Sequence, residues 1–181
     1  MRSFRLAAVA ASLLLTSIVV TACAASPEGE SASPTPMFAS DEEAFAAAEA
    51  TYRAYVDASN QVDLSDPTTF DAALELSAGD LNAADRKVLS AKHADGYTLS
   101  GQTVVESITM SDISTLRDNV ALAVCLNVSQ VDVRDAAGNS SVDPGRNPVQ
   151  ALRVSFAPNP RNLHSLAAVL IEPNEVPSAC E

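Results

Sequence analysis

The residues of this sequence that could do chemistry are few: three cysteines, two histidines, three tyrosines and a surplus of carboxylates. None stands in a catalytic signature. The sequence holds no Gly-Xaa-Ser-Xaa-Gly elbow, phosphate-binding glycine loop, Cys-Xaa-Xaa-Cys pair or His-Glu-Xaa-Xaa-His. His93 and His164 lie far apart, and with scattered cysteines they lack the spacing of metal ligands, so neither metal nor cofactor is expected. His93 follows Lys92 at the end of an expected helix, where a cation suits the macrodipole, which reads as structural. His164 opens the last expected strand and, as a general base, would need a partner within hydrogen-bond reach. Tyr52 and Tyr55 share an expected helix with Asp57, and Tyr97 begins the strand region. These tyrosines are the best candidates to line a pocket. The alternative is amphipathic core packing with the hydroxyls at the surface.

Charge narrows the partners. The chain carries 23 acids against 11 bases, a formal charge of −12, and only Lys87 and Lys92 are lysines. Nucleic-acid binding needs clustered Lys and Arg and is not expected. Acidity gives no help toward anionic head groups either, and serves first to keep a domain soluble. Asn127-Val128-Ser129 and Asn139-Ser140-Ser141 match the glycosylation acceptor pattern.

The N-terminus reads as an address. Arg2 and Arg5 form a short positive region, and residues 6–22 then run without a charge through Leu13-Leu14-Leu15 and Ile18-Val19-Val20. That is short for a membrane span and ample for a signal-peptide core. Val20-Thr21-Ala22-Cys23 resembles the bacterial lipobox, an aliphatic residue and two small ones before a cysteine. The resemblance implies cleavage after residue 22, a diacylglyceryl group on the Cys23 thiol, and an extracytoplasmic domain anchored to the cell membrane. Two or more acyl chains suffice for stable anchoring. Residues 23–39 then read as a disordered tether, because Ser26-Pro27-Glu28-Gly29-Glu30 and Ser33-Pro34-Thr35-Pro36 lack apolar groups to bury. With Cys23 assigned to lipid, Cys125 and Cys180 remain, and an extracytoplasmic setting permits a disulfide between them. Two separately buried thiols are the alternative.

The elements that must position these residues fill 40–181, one domain. Ser40 with Glu43 is a capping box, and Phe45, Ala48, Tyr52, Tyr55 and Val56 give helical spacing over 41–59. Asp66-Pro67 starts a short second helix, with Phe70, Ala73 and Leu74 inward and Gly79 as its stop. Asp80 caps a third, with Leu81, Ala84, Val88 and Leu89 inward and Gly96 as its stop. The period then changes to two. Val104, Ile108 and Met110 alternate loosely, and Val120, Leu122, Val124, Leu126 and Val128 alternate strictly. Turn signals at 135–139 and 143–148, a strand through Leu152, Val154 and Phe156, a break at Pro158-Asn159-Pro160 and an apolar strand over 163–171 complete the domain. Helices followed by strands predict an α+β fold.

This order resembles the cone-like fold of nuclear transport factor 2 and the ketosteroid-isomerase-like proteins. Narrower still is its likeness to small actinobacterial lipoproteins carrying such a domain. The stretches that carry it are Ala84-Asp85-Arg86-Lys87-Val88-Leu89, Gly96-Tyr97-Thr98-Leu99-Ser100-Gly101, Val124-Cys125-Leu126-Asn127-Val128-Ser129 and Val131-Asp132-Val133-Arg134-Asp135. The resemblance implies N-terminal helices packed on a curved antiparallel sheet. It also implies a pocket at the open end of the cone, where Tyr52, Tyr55 and Tyr97 would meet. With no reactive constellation, the expectation is a non-catalytic envelope module for a small apolar ligand or an envelope protein. An isomerase- or dehydratase-like enzyme with an Asp in the cone is the first alternative. A structural or assembly role through the exposed sheet face, including a homodimer, is the second.

Overall fold

The computed structural model of this protein describes residues 34–174 and 180; the side chains of Leu163 and His164 are not described. The leader expected over 1–22, Cys23, and the expected tether as far as residue 33 lie outside the described residues. From residue 34 the chain forms helices packed on antiparallel sheets, the α+β class that the change of period predicts.

Helix α1, Asp41–Ser59, starts where the capping box places it. The Ser40 hydroxyl accepts the Glu43 N–H at 3.2 Å, and the Glu43 carboxylate accepts the Ala39 N–H at 3.0 Å. Asp41, Glu42 and Glu43 in the first turn oppose the positive end of the helix dipole. Its buried stripe recurs every four residues, Ala44, Ala48, Tyr52 and Val56. The alanines let the helix sit close to the sheet.

A 3-10 turn, Pro67–Phe70, and the short α2, Asp71–Leu74, follow, with the Asp66 carboxylate accepting the Thr68 N–H at 3.0 Å. The connection to α3, Gly79–Ala94, differs from the expectation. Leu76, Ser77 and Ala78 run beside the final strand instead of ending at a glycine cap. The Ala78 N–H donates to the Ala168 carbonyl at 2.8 Å, and the Ala168 N–H donates to that of Leu76 at 3.0 Å. Gly79, at φ +57°, turns this stretch into α3, whose cap position is Ala78 and not Asp80. Sheet pairing thus overrides the local cap signal. At the other end Gly96 does stop the helix: its N–H reaches His93 O and that of Tyr97 reaches Lys92 O, the paired bonds of a Schellman motif.

Among the described residues six strands follow: β1 Thr98–Ser100, β2 Val104–Ile113, β3 Val120–Asn127, β4 Asp132–Arg134, β5 Val149–Asn159 and β6 Asn162–Pro173. β1 and β4 make a two-stranded ribbon, and the larger antiparallel sheet has the order β2-β3-β5-β6. Pro158 lies within β5 opposite Leu166, so the expected break is only a tight reversal at Pro160 and Arg161.

The even-numbered face of β3 meets α1. Val120, Leu122 and Val124 pack there with Val154, Phe156, Leu166 and Tyr52, all at most 2% exposed. Each such side chain contributes roughly 1.5–3 kcal/mol on burial. Met37 and Phe38, read as the end of the tether, also pack against this core. The Met37 N–H donates to Leu116 O at 2.8 Å, and Arg117 bridges Asp41 at 2.6 Å. The ordered fold therefore begins before Ser40. On the odd face Cys125 is bonded to Cys180, with the two Cα atoms 5.4 Å apart.

Candidate functional site

The space between α1 and the sheet, where a cone-like pocket would lie, is filled. Tyr52 is 1% exposed, with its ring edge-on to Phe156 at 6.4 Å and stacked on Tyr55 at 6.3 Å. An apolar opening lies on the other side of Tyr55. It is a crevice of about 240 Å³ among the three helices and β1. Val62, Leu74, Leu89 and Leu99 form its apolar walls, and Val88, 55% exposed, stands at its mouth.

Three polar side chains, Tyr55, Ser59 and Asp85, interrupt these walls, and the Ser59 hydroxyl is spent on Tyr55 O at 2.7 Å. The Tyr55 hydroxyl on α1 donates to Oδ2 of Asp85 on α3 at 3.0 Å. Burial pushes the Asp85 carboxyl up, against the lowering effect of the Tyr55 and Ser77 hydroxyls. Burial also pushes the Tyr55 phenol upward, helped by the negative charge of Asp85. Among the described residues Asp85 makes no ion pair.

The corner behind the crevice is held from both sides. Asn82 Nδ2 donates to Leu74 O at 2.6 Å and to the Ser77 hydroxyl at 3.0 Å. Arg161, brought in by the β5–β6 reversal, donates to Leu74 O and Glu75 O, both at 3.0 Å. These bonds satisfy carbonyls where α2 ends and fix the wall that Leu74 supplies.

The sequence candidates are distributed as follows. Tyr52 and Tyr55 are neighbours, but Tyr52 is shut in the core and Tyr55 alone lines the crevice. Tyr97 does not join them; Lys92 Nζ lies 3.6 Å over its ring, and its flank packs on the Val62, Leu64, Phe70 and Leu74 cluster. Asp57 is exposed beside a separate polar hollow with Arg53 and Asn60. His93 Nδ1 donates to Leu64 O at 2.7 Å, a bond that ties the end of α3 to the loop after α1. His164 belongs to β6, with its side chain outside the described residues. Asp85 is the site residue that sequence reasoning passes over. Its signal is position: it lies four residues after Leu81 and three before Val88, an acid on the apolar stripe of α3.

Chemically, the crevice can hold an apolar group and offer it one carboxylate. The Tyr55 proton already serves that carboxylate, so the phenol is not a free donor for polarising a carbonyl. Among the described residues no three His, Cys, Asp or Glu side chains gather as metal ligands, and no helix is long and apolar enough to cross a membrane.

The sequence matches no protein-family model and no curated protein. Among solved structures the chain is similar to the intermembrane space region of the chloroplast protein ARC6, with a TM-score of 0.50 and 9% identity over 71% of this chain and 95% of that one. It is also matched, with a TM-score of 0.36 and 15% identity, to a protein described as a polyketide cyclase from Xanthomonas campestris pv. campestris, over 70% of this chain and 92% of that one. The soluble domain of the TrwG type IV secretion machinery from Bartonella grahamii matches with a TM-score of 0.36 and 12% identity, over 71% and 91%. At such identities the first likeness extends to the fold and no further.

Proposed function

We propose that this protein is an extracytoplasmic lipoprotein, held to the cell membrane through Cys23, whose domain is a non-catalytic binding module of the nuclear transport factor 2-like kind. The observation that carries the reading is the exchange of one pocket for another. The core behind the sheet is packed shut around Tyr52 and Phe156, while an apolar crevice stays open among the helices. An enzyme of the isomerase type would need a second acid, an imidazole or a free donor beside the first carboxylate. The crevice offers Asp85 with its attached tyrosine. A volume of about 240 Å³ suits a short aliphatic chain or one ring, below the usual span of drug-sized sites.

Two measurements test the two halves of the proposal. Added 1-hexanol should shift the methyl resonances of Val62, Leu74, Val88, Leu89 and Leu99 in the purified full chain, and Ala84→Phe at the crevice wall should abolish those shifts. Shifts scattered over the surface, or none, would remove the binding reading. For the anchor, cells fed an alkyne-tagged fatty acid should label the wild-type chain and leave Cys23→Ser unlabelled. An unlabelled wild type would end that half.

A further inference from the structure

We infer that the ligand of the helix crevice carries a positive charge: a small primary alkylammonium whose chain lies on the leucine and valine walls and whose nitrogen meets Asp85. This rests on the crevice being the binding place, and adds the chemical class of what binds.

The geometry supports it in three steps. First, the walls are apolar and the one charged group lining them is a carboxylate, so an anion is repelled and a neutral apolar molecule leaves the charge unmatched. Second, Tyr55 occupies Oδ2 of Asp85 at 3.0 Å while no cation of the described residues pairs with the carboxylate, although Arg86 is its chain neighbour and Arg161 lies beyond the Leu74 corner. Arg86 is turned along α3 onto the Asn82 side-chain oxygen at 3.0 Å, and Arg161 is engaged with carbonyls. A half-buried carboxylate left without a counter-ion is the feature an ammonium completes. Third, one carboxylate is too few for a metal ion, whose oxygen-ligand sites draw on several donors. The volume of about 240 Å³ suits a short alkyl chain carrying one amino group. The net charge of −12 raises the local concentration of cations around the whole chain.

The test compares hexylammonium with 1-hexanol, two probes of nearly equal shape, by titration of the purified full chain. Hexylammonium should bind at least about tenfold more tightly, the increment expected of a hydrogen bond to a charged group. Asp85→Asn should bring hexylammonium down to the affinity of hexanol and leave hexanol unchanged. That variant keeps an oxygen to accept the Tyr55 proton and removes a charge that burial disfavours, so it is expected to fold. Val88→Lys gives an independent arm: on α3 it lies three residues after Asp85, where its own ammonium can take the place of the ligand's, and it should cancel the preference for hexylammonium. Equal affinity of the two probes for the wild type, or an Asp85→Asn chain that keeps the preference, overturns the inference and leaves the apolar crevice standing. If neither probe shifts the crevice methyls, the binding reading falls with it.

Discussion

Replacing Cys125 and Cys180 together by alanine is expected to lower the stability of the folded domain by about 4 kcal/mol. The bond closes a loop with a sequence separation of 55, and the chain-entropy account of cross-linking gives that magnitude for such a loop. What the bond holds gives the loss its meaning. Cys125 is 2% exposed in the middle of β3, opposite Ser107 of β2 and Ala151 of β5. The cross-link therefore pins Cys180 to the outer face of a strand whose other face is the core. A marginally stable domain has only about 5–15 kcal/mol in hand, so the change removes a large share of it. Urea titration reads it directly. A reductant should move the wild-type midpoint down to that of the double variant, and should not move the double variant at all. A wild type indifferent to reductant would mean that the cross-link contributes nothing. The disulfide is compatible with an extracytoplasmic domain, where an oxidising setting lets such a bond persist.

What the sequence reveals, and what it hides, follows from where each signal is encoded. α1 is legible because its cap and its four-residue stripe are local, and the inward residues of β3 alternate without interruption. The connection over Leu76–Ala78 is not legible. Its bonds run to Ala168, some ninety residues away, and a glycine cap was the best local account of Gly79. Met37 and Phe38 look like the end of a polar tether until Leu116 and Arg117 arrive to hold them. Tyr52 and Tyr55 were readable as neighbours. That one seals the core and the other opens on a crevice depends on Phe156 and Asp85, which come from distant elements. Asp85 itself was readable as an acid on an apolar stripe. Its meaning appears only when Tyr55 and Leu74 close around it.

Gly101→Ala is expected to cost about 3 kcal/mol, the upper end of the range for backbone strain, for two reasons that can be separated. Gly101 has φ +78°, a conformation that disfavours any Cβ, and a Cβ built there would also overlap the backbone carbonyl of Gln130. Retreat of the Gln130 turn is opposed. Arg146 donates to the carbonyls on either side of it, Val128 O at 2.7 Å and Val131 O at 2.8 Å, and the Val131 N–H donates to Val128 O at 3.0 Å. Gly79 supplies the control, because it has φ +57° and nothing within 4 Å of the added carbon. Gly79→Ala should show the left-handed penalty alone, about 1 kcal/mol. Chemical denaturation of the two variants isolates the steric contribution as the difference between them. Equal losses would show that the Gln130 turn yields freely. The consequence reaches the binding site, because Gly101 follows the strand that carries Leu99 into the crevice wall. Gly101→Ala should therefore weaken the hexanol-induced shift at the Leu99 methyls before it disturbs those of Leu89, which is carried by α3 and held by other contacts.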